Sequence, residues 1–327
     1  EISMINVVVV GLGHIANRHI EAIESTKGLT LYGVCDVNDK ALNDLETDAK
    51  KFVLFQDVLD DDSVDVVALT TPSWLHHSMT LKSISANKLV LCEKPLALTS
   101  SDVNDIIQHS LDSTTPVWVV LQQRYAPAVQ YLQSLLTPGG IGTPYLVQMN
   151  CLWNRGKQYF DSPWKGQKEM DGGALFNQFS HYIDLVTYLF GTVYSVSCIT
   201  RNFNHPYIDF EDSGVAHFTM ESGALVTLNY STSAWGKNFE NAITVLGSAG
   251  NIKLTGAGLT EVVSNTVNKL PAMDTDALSG HAKVYDEIVK YFWAGDCDLP
   301  VAMESKHTTR IIEALYESAD THREVIV

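Results

Sequence analysis

The 327-residue sequence has little cysteine, and what it has is scattered: Cys35, Cys92, Cys151, Cys198 and Cys297 include no C-x-x-C pair. An odd set of isolated cysteines indicates neither a disulfide framework nor a zinc knuckle, and a reducing compartment fits it best. Basic residues are also short, with 22 Lys and Arg against 38 Asp and Glu, a formal net charge of −16. The acids are dispersed rather than gathered in a tail, so the charge favours solubility and argues against binding a polyanionic backbone. No apolar run reaches the roughly 18 residues that span a bilayer, and no basic stretch leads into an apolar signal segment. A cytoplasmic protein is expected, with neither nucleic acid nor membrane among its partners. Internal repeats and linkers rich in Pro, Gly or Ser are missing too, so the chain is expected to fold throughout. Glu1-Ile2-Ser3 precede Met4, which runs straight into the first apolar stretch, and read as an added lead.

Hydrophobic residues make up 45% of a chain longer than one typical domain, so two domains with separate cores are expected. Residues 5–10 are nearly all apolar, as in a strand buried on both faces of a parallel sheet. Further strands are expected at 30–35, 65–70, 88–92 and 117–121, with helices at 75–86 and 101–111 between them. This β-α-β alternation predicts an α/β, doubly wound Rossmann domain over residues 1–122. Beyond it, strands at 145–153, 193–203, 214–220, 224–230 and 242–246 follow one another with few helices, at 173–190, 282–293 and 304–317. Residues 221–223 read as a hairpin turn. Residues 123–327 are therefore expected to be an α+β domain with one large, mostly antiparallel open sheet, the last helix being free to pack on either domain.

Gly11-Leu12-Gly13-His14-Ile15-Ala16 follows the first strand and opens a helix. Glycines in that setting let backbone amides and a helix N-terminus approach a pyrophosphate. Steric need alone also places glycine in such turns, and methyltransferases and flavoproteins use similar loops. Asp36 narrows the choice: about 20 residues further on and at the end of the second strand, it can accept hydrogen bonds from the adenosine ribose and repel a 2′-phosphate, favouring NAD over NADP. Thr70 to His77 ends strand 65–70 at the edge where ligands sit in open α/β sheets, although Ser73 also suits a plain N-cap. Glu93-Lys94-Pro95 ends strand 88–92 at the same edge, and Pro95 restricts Lys94 to an extended backbone. Within 173–190, Asn177, His181 and Asp184 fall at i, i+4 and i+7, so a continuous helix puts three polar groups on one face, where they need partners.

GLGHIA, TTPSWLHH and CEKPLALT in this order, then Gln122-Gln123-Arg124-Tyr125-Ala126-Pro127 and DGGALFNQFSHYID at 171–184, resemble the glucose-fructose oxidoreductase, inositol dehydrogenase and MocA (Gfo/Idh/MocA) family over nearly the whole chain. The resemblance implies an NAD-dependent oxidoreductase acting on a secondary hydroxyl of a sugar. It implies cofactor contacts from Gly11, Gly13, His14, Ile15, Asp36, Thr71, Pro72, Ser73, Leu75, His76, Glu93, Lys94, Gln122 and Trp164, and no metal. It also places His181 facing the nicotinamide beside Lys94, with His181 as base and Lys94 as orienting acid. Many relatives carry aspartate where Asn177 stands; an amide cannot titrate, but it can orient a hydroxyl. With Trp153-Asn154-Arg155, Tyr159-Phe160 and Trp164-Lys165-Gly166, the motif N-Q-x-x-H-x-x-D resembles the nucleotide-sugar branch, whose members oxidise the 3-hydroxyl of UDP-N-acetylglucosamine-type sugars. That branch implies substrate contacts from Lys94, Arg124, Arg155, Tyr159, Asn177, Gln178 and His181, the arginines serving carboxylate or diphosphate oxygens. A homodimer or homotetramer built through the outer face of the C-terminal sheet is implied in the same way. A free-sugar or inositol dehydrogenase and a non-catalytic sugar or dinucleotide sensor remain the alternatives.

Overall fold

A computed structural model of the chain describes residues 4–137, 139–266 and 279–327; the lead expected at residues 1–3 lies outside them. The chain divides into two compact units, Glu1–Gln122 with Gly280–Lys306, and Gln123–Ser279 with His307–Val327. The sequence pattern leaves 280–306 in the second domain, whereas the structure has it in the first unit. The reason is apolar packing: the Tyr291 ring lies 4.9 Å from that of Trp118, and Pro300 accepts a backbone hydrogen bond from Val119 at 2.9 Å.

The first unit alternates strand and helix: β1 (Ile5–Val10), α1 (Ala16–Ser25), β2 (Leu29–Cys35), α2 (Asp39–Asp44), β3 (Lys50–Phe52), α3 (Phe55–Leu59), β4 (Val66–Leu69), α4 (His76–Ser85), β5 (Leu89–Cys92), α5 (Ser100–Ser113) and β6 (Val117–Val119). All strand pairs are parallel, in the order β3-β2-β1-β4-β5-β6. Successive units wind one way from β1 to β3 and the other way from β4 to β6, so the switch point lies between β1 and β4, where open sheets form their ligand crevice. Val7, Val8 and Val9 are wholly buried, and each such valine contributes roughly 1.5–3 kcal/mol over an exposed one. The sequence pattern gives no sign of β3, an edge strand of Lys50-Lys51-Phe52 whose two lysines face water and leave no apolar run to detect.

The chain continues through α6 (Pro127–Leu135), β7 (Pro144–Leu152), α7 (Lys168–Asp171), α8 (Ala174–Asn177) and α9 (Ser180–Phe190). Then come β8 (Val193–Arg201), β9 (Ser213–Met220), β10 (Leu225–Ser231), β11 (Glu240–Gly247), β12 (Gly250–Thr255) and β13 (Glu261–Ser264). α10 (Ser279–Ala294) belongs to the first unit apart from its first residue, the unit boundary falls inside α11 (Ala302–Thr321), and β14 (Val325–Ile326) follows. The eight-stranded sheet has the order β13-β12-β11-β7-β10-β9-β8-β14 and is antiparallel except between β7 and β10. The expected mostly antiparallel open sheet is there, and so is the hairpin: Met220 donates to the Ala224 carbonyl at 2.9 Å across a turn in which Gly223 has φ +84°. Its inner face is apolar (Ala216, Phe218, Met220, Val226, Leu228), and Phe179 meets Tyr230 there, ring centroids 4.8 Å apart.

The single helix expected over 173–190 is two, α8 and α9, separated at Gln178 and Phe179; Phe179 has φ −109° and ψ 2°. Asn177 and His181 therefore do not share one helical face. Polar ties hold Asn177 and Gln178 sideways while Phe179 is wholly buried between Trp153 and Tyr230, and these contacts outweigh the helical hydrogen bonds lost.

Gly173 starts α8 with φ +97°, and a Cβ there would fall inside hydrogen-bonding distance of the Tyr316 hydroxyl, so only glycine fits. That hydroxyl receives the Leu175 N–H at 3.2 Å and donates to Glu211 at 2.8 Å. Burial pushes the Glu211 carboxyl up to about 7, against the pull of Tyr316. A raised carboxyl binds its proton more tightly in the folded chain than in the unfolded one, so its contribution is full below the unfolded value near 4.5 and is lost as pH rises through about 7. Glu211→Gln is expected to be more stable than wild type above pH 7 by up to roughly 3 kcal/mol. The advantage shrinks towards pH 4.5, which urea unfolding at pH 5 and pH 8 checks.

Candidate active site

In the first unit the loops at the carboxyl ends of β1, β2, β4 and β5 are knitted together. Gly11 has φ +97°, and a Cβ there would lie 2.8 Å from the Thr71 nitrogen, so glycine is required. At Gly13 a Cβ would meet nothing within 4 Å; the chain leaves this space open above the start of α1. α1 has no side-chain cap and no acid in its first turn, so no side chain of its own competes with an anion at its start. Asp36 Oδ2 accepts the Leu12 N–H at 2.6 Å and Oδ1 the Asn38 N–H at 2.8 Å, which ties the acid to the glycine loop. Each oxygen keeps a lone pair for a further donor. Open space at Gly13, a helix start without a side-chain cap and a half-buried acid fit a dinucleotide. His76 Nδ1 lies 2.7 Å from the Pro95 carbonyl and Nε2 2.8 Å from that of Thr71, bridging the loops after β4 and β5. Burial lowers the imidazole's affinity for a second proton against the pull of those two carbonyls, so the neutral ring donates to one of them at a time.

In the second unit a polar chain runs through the segment between the short helices. Asn177 donates to Asp171, and the Gln178 amide reaches Asn177 at 3.2 Å and the Tyr159 hydroxyl at 2.6 Å. Arg155 Nε donates to Gln178 Oε1 at 3.0 Å and Nη1 to Asn238 Oδ1 at 3.1 Å. The guanidinium lies over Trp153 and Tyr159, 5.1 and 5.5 Å from the ring centroids, and Lys165 sits 4.1 Å from the Tyr159 centroid. Burial lowers the proton affinity of both cations. Among the described residues neither forms an ion pair with a carboxylate. His205, fixed by Asp212 at 3.0 Å, faces the Arg155 carbonyl at 2.8 Å and steadies its backbone.

The structure thus gathers Gly11, Asp36, Thr71, His76 and the turn at Glu93 and Lys94 in one unit, and Arg155, Tyr159, Asn177 and Gln178 in the other. His181 lies on α9 and is buried. Arg124 is buried, with Nε and Nη2 donating to the internal carboxylate of Asp184 at 2.8 and 2.7 Å. Asp184 in turn supports Arg124. The sequence pattern assigns no role to Asp171, His205 or Asn238, and Lys165 enters only within a motif. Asn238 carries no signal, since it reaches Arg155 across 83 positions.

Residues 5–120 match the profile described as an oxidoreductase family with an NAD-binding Rossmann fold, and residues 129–253 match the GFO/IDH/MocA C-terminal domain. The WlbA dehydrogenase from Bordetella pertussis, solved in complex with NADH and UDP-GlcNAcA, is 29% identical, with 99% of this chain and 98% of that chain covered and a TM-score of 0.91. The WlbA enzyme from Chromobacterium violaceum, in complex with the same two ligands, is 32% identical over 99% and 96% of the two chains, also at 0.91. The inositol 2-dehydrogenase of Salmonella typhimurium is 28% identical over 57% of this chain and 54% of that enzyme, about half its length. No helix of the described residues is long and apolar enough to cross a membrane.

Two substitutions separate framework from site. Arg124→Met strips the fork from a buried carboxylate and is expected to cost about 3–5 kcal/mol of unfolding free energy, measured in urea. Asp36→Ala is expected to weaken NAD binding by about 10- to 100-fold without weakening NADP binding, as titration calorimetry would read.

Proposed function

The chain belongs to the Gfo/Idh/MocA family of oxidoreductases, and from that premise we propose that it is an NAD-dependent dehydrogenase of a sugar's secondary hydroxyl, specifically the 3-hydroxyl of a UDP-N-acetylhexosamine or its uronate. Similarity over the full chain to two enzymes solved with NADH and UDP-GlcNAcA supports this reading. The observation that carries it is the Arg155–Lys165 corner. Two half-buried cations on aromatic faces, without a carboxylate partner among the described residues, are a cost that an anionic ligand offsets. A uronate or a diphosphate supplies that charge. A neutral inositol does not, although likeness to inositol 2-dehydrogenases keeps polyol oxidation as the competing reading.

In this reading Gly11, Gly13, His14, Ile15 and the start of α1 hold the pyrophosphate, and Asp36 holds the adenosine ribose. Thr71, Pro72, Ser73, Leu75, His76, Glu93, Gln122 and Trp164 complete the cofactor contacts. When bound, the nicotinamide supplies the acceptor for the hydride that leaves the sugar carbon. His181 takes the hydroxyl proton, and Lys94 holds the oxygen in line for its removal. Asn177, fixed by Asp171, orients a sugar hydroxyl without titrating, Gln178 and Tyr159 line the sugar's path, and Arg155 takes the anionic group. Ile199 and Val215, paired across β8 and β9, are exposed together with Leu225 on the outer face of the open sheet. That face supports a homodimer or homotetramer.

Lys94→Ala and His181→Ala are each expected to lower kcat by about 10²–10⁴-fold with NAD affinity nearly unchanged. Arg155→Met is expected to raise KM for the sugar nucleotide by about 10- to 100-fold. Steady-state kinetics with a UDP-N-acetylhexosamine uronate reads all three. Unaltered turnover in both the lysine and the histidine variants contradicts the assignment.

A further inference from the structure

In the first unit His19 on α1, Glu93 after β5, and His281 and Tyr285 on α10 form a buried cluster of which the proposed function uses Glu93 alone. His19 Nε2 lies 3.0 Å from Glu93 Oε1, and His19 Nδ1 lies 2.7 Å from the Tyr285 hydroxyl. His281 Nε2 is 3.8 Å from the same Oε1, and its ring packs edge-on against His19 with centroids 5.3 Å apart. The second oxygen of Glu93 accepts the backbone N–H of Lys94 at 3.1 Å.

Burial works against charge on Glu93, but His19 and His281 outweigh it and hold the carboxyl well below the usual range; burial also lowers the His19 imidazole. Glu93 is therefore a carboxylate. His19 is a neutral ring that donates from Nε2 and receives the Tyr285 hydroxyl at Nδ1. His281 is 3% exposed, and neither of its ring nitrogens reaches a hydrogen-bond partner among the described residues. Its ring nevertheless stands where it adds to the field and packing around one carboxylate.

We propose that His19, Glu93 and His281 form a positioning unit that fixes the backbone of Lys94 relative to α1 and α10. One oxygen of Glu93 faces the two helices and the other takes the Lys94 amide, so a single carboxylate sets where the lysine stands relative to the helix that opens on the glycine loop. The unit rests on the reading of Lys94 as a residue that touches the reacting sugar. Misplacing such a group by about 1 Å costs on the order of 100-fold in rate.

The test compares wild type with His281→Leu, His281→Gln and Lys94→Ala by steady-state kinetics, amide hydrogen exchange and thermal unfolding. The Gln amide keeps a polar group beside Glu93, whereas Leu keeps only the volume. His281→Leu is expected to lower kcat by about 10- to 100-fold with KM for NAD little changed, and to speed exchange of the Lys94 amide by about tenfold. His281→Gln should recover most of both. Loss of melting temperature without faster exchange at Lys94 makes the cluster merely structural and overturns the proposal, and so does wild-type behaviour in the Leu variant. Uptake of one zinc ion per chain that His281→Leu abolishes makes the three side chains metal ligands and also overturns it. If Lys94→Ala turns over like wild type, the catalytic reading of Lys94 fails by itself; the exchange of the Lys94 amide still decides whether the unit exists.

Discussion

A carboxylate taken out of water must be surrounded by donors, and that constraint organises both units of this protein. Asp212 gathers the amides of Phe203 and Asn204, the ring of His205 and the hydroxyl of Ser213. Asp184 takes the fork of Arg124, and Glu93 takes His19 and the amide of Lys94. Each acid pins a segment that hydrophobic packing alone would leave free to choose among several conformations. The sheets supply most of the stability, and the buried acids decide where the loops between them stand.

This division explains why candidate residues sort into framework and site. Arg124 and Arg155 look alike in sequence as forked cations near aromatic residues. In the structure one is closed off by a carboxylate, while the other is held only by neutral amides and rings, which orient it without cancelling its charge. A cation held in place but electrically uncompensated is what recognition of an anion needs. Asp36 shows the same economy in the first unit, since its carboxylate shapes the glycine loop and keeps acceptor capacity for a ribose.

Much of this is legible in the sequence. The other five parallel strands follow from apolar runs bounded by turns, and the open sheet follows from successive strands without helices between them. Gly11 and Asp36 are legible because their spacing reflects a steric and a hydrogen-bonding need. Three kinds of feature are hidden. β3 escapes because an edge strand carrying two lysines has no apolar run. The break at Gln178 and Phe179 escapes because its cause lies in Tyr159, Arg155 and Tyr230, all distant in sequence. The return of α10 to the first unit escapes because amphipathic spacing shows that a helix buries a face without saying against what.

In the proposed reading the protein moves a hydride between a nicotinamide and a sugar that carries negative charge. The most direct measurement follows absorbance at the reduced-nicotinamide band while NAD is offered with UDP-sugars, UDP-sugar uronates, inositols and free hexoses in turn. Saturable reduction of NAD is expected with a UDP-sugar or its uronate, and little with neutral polyols. Saturation by an inositol or a free hexose, with none by any UDP-sugar, contradicts it.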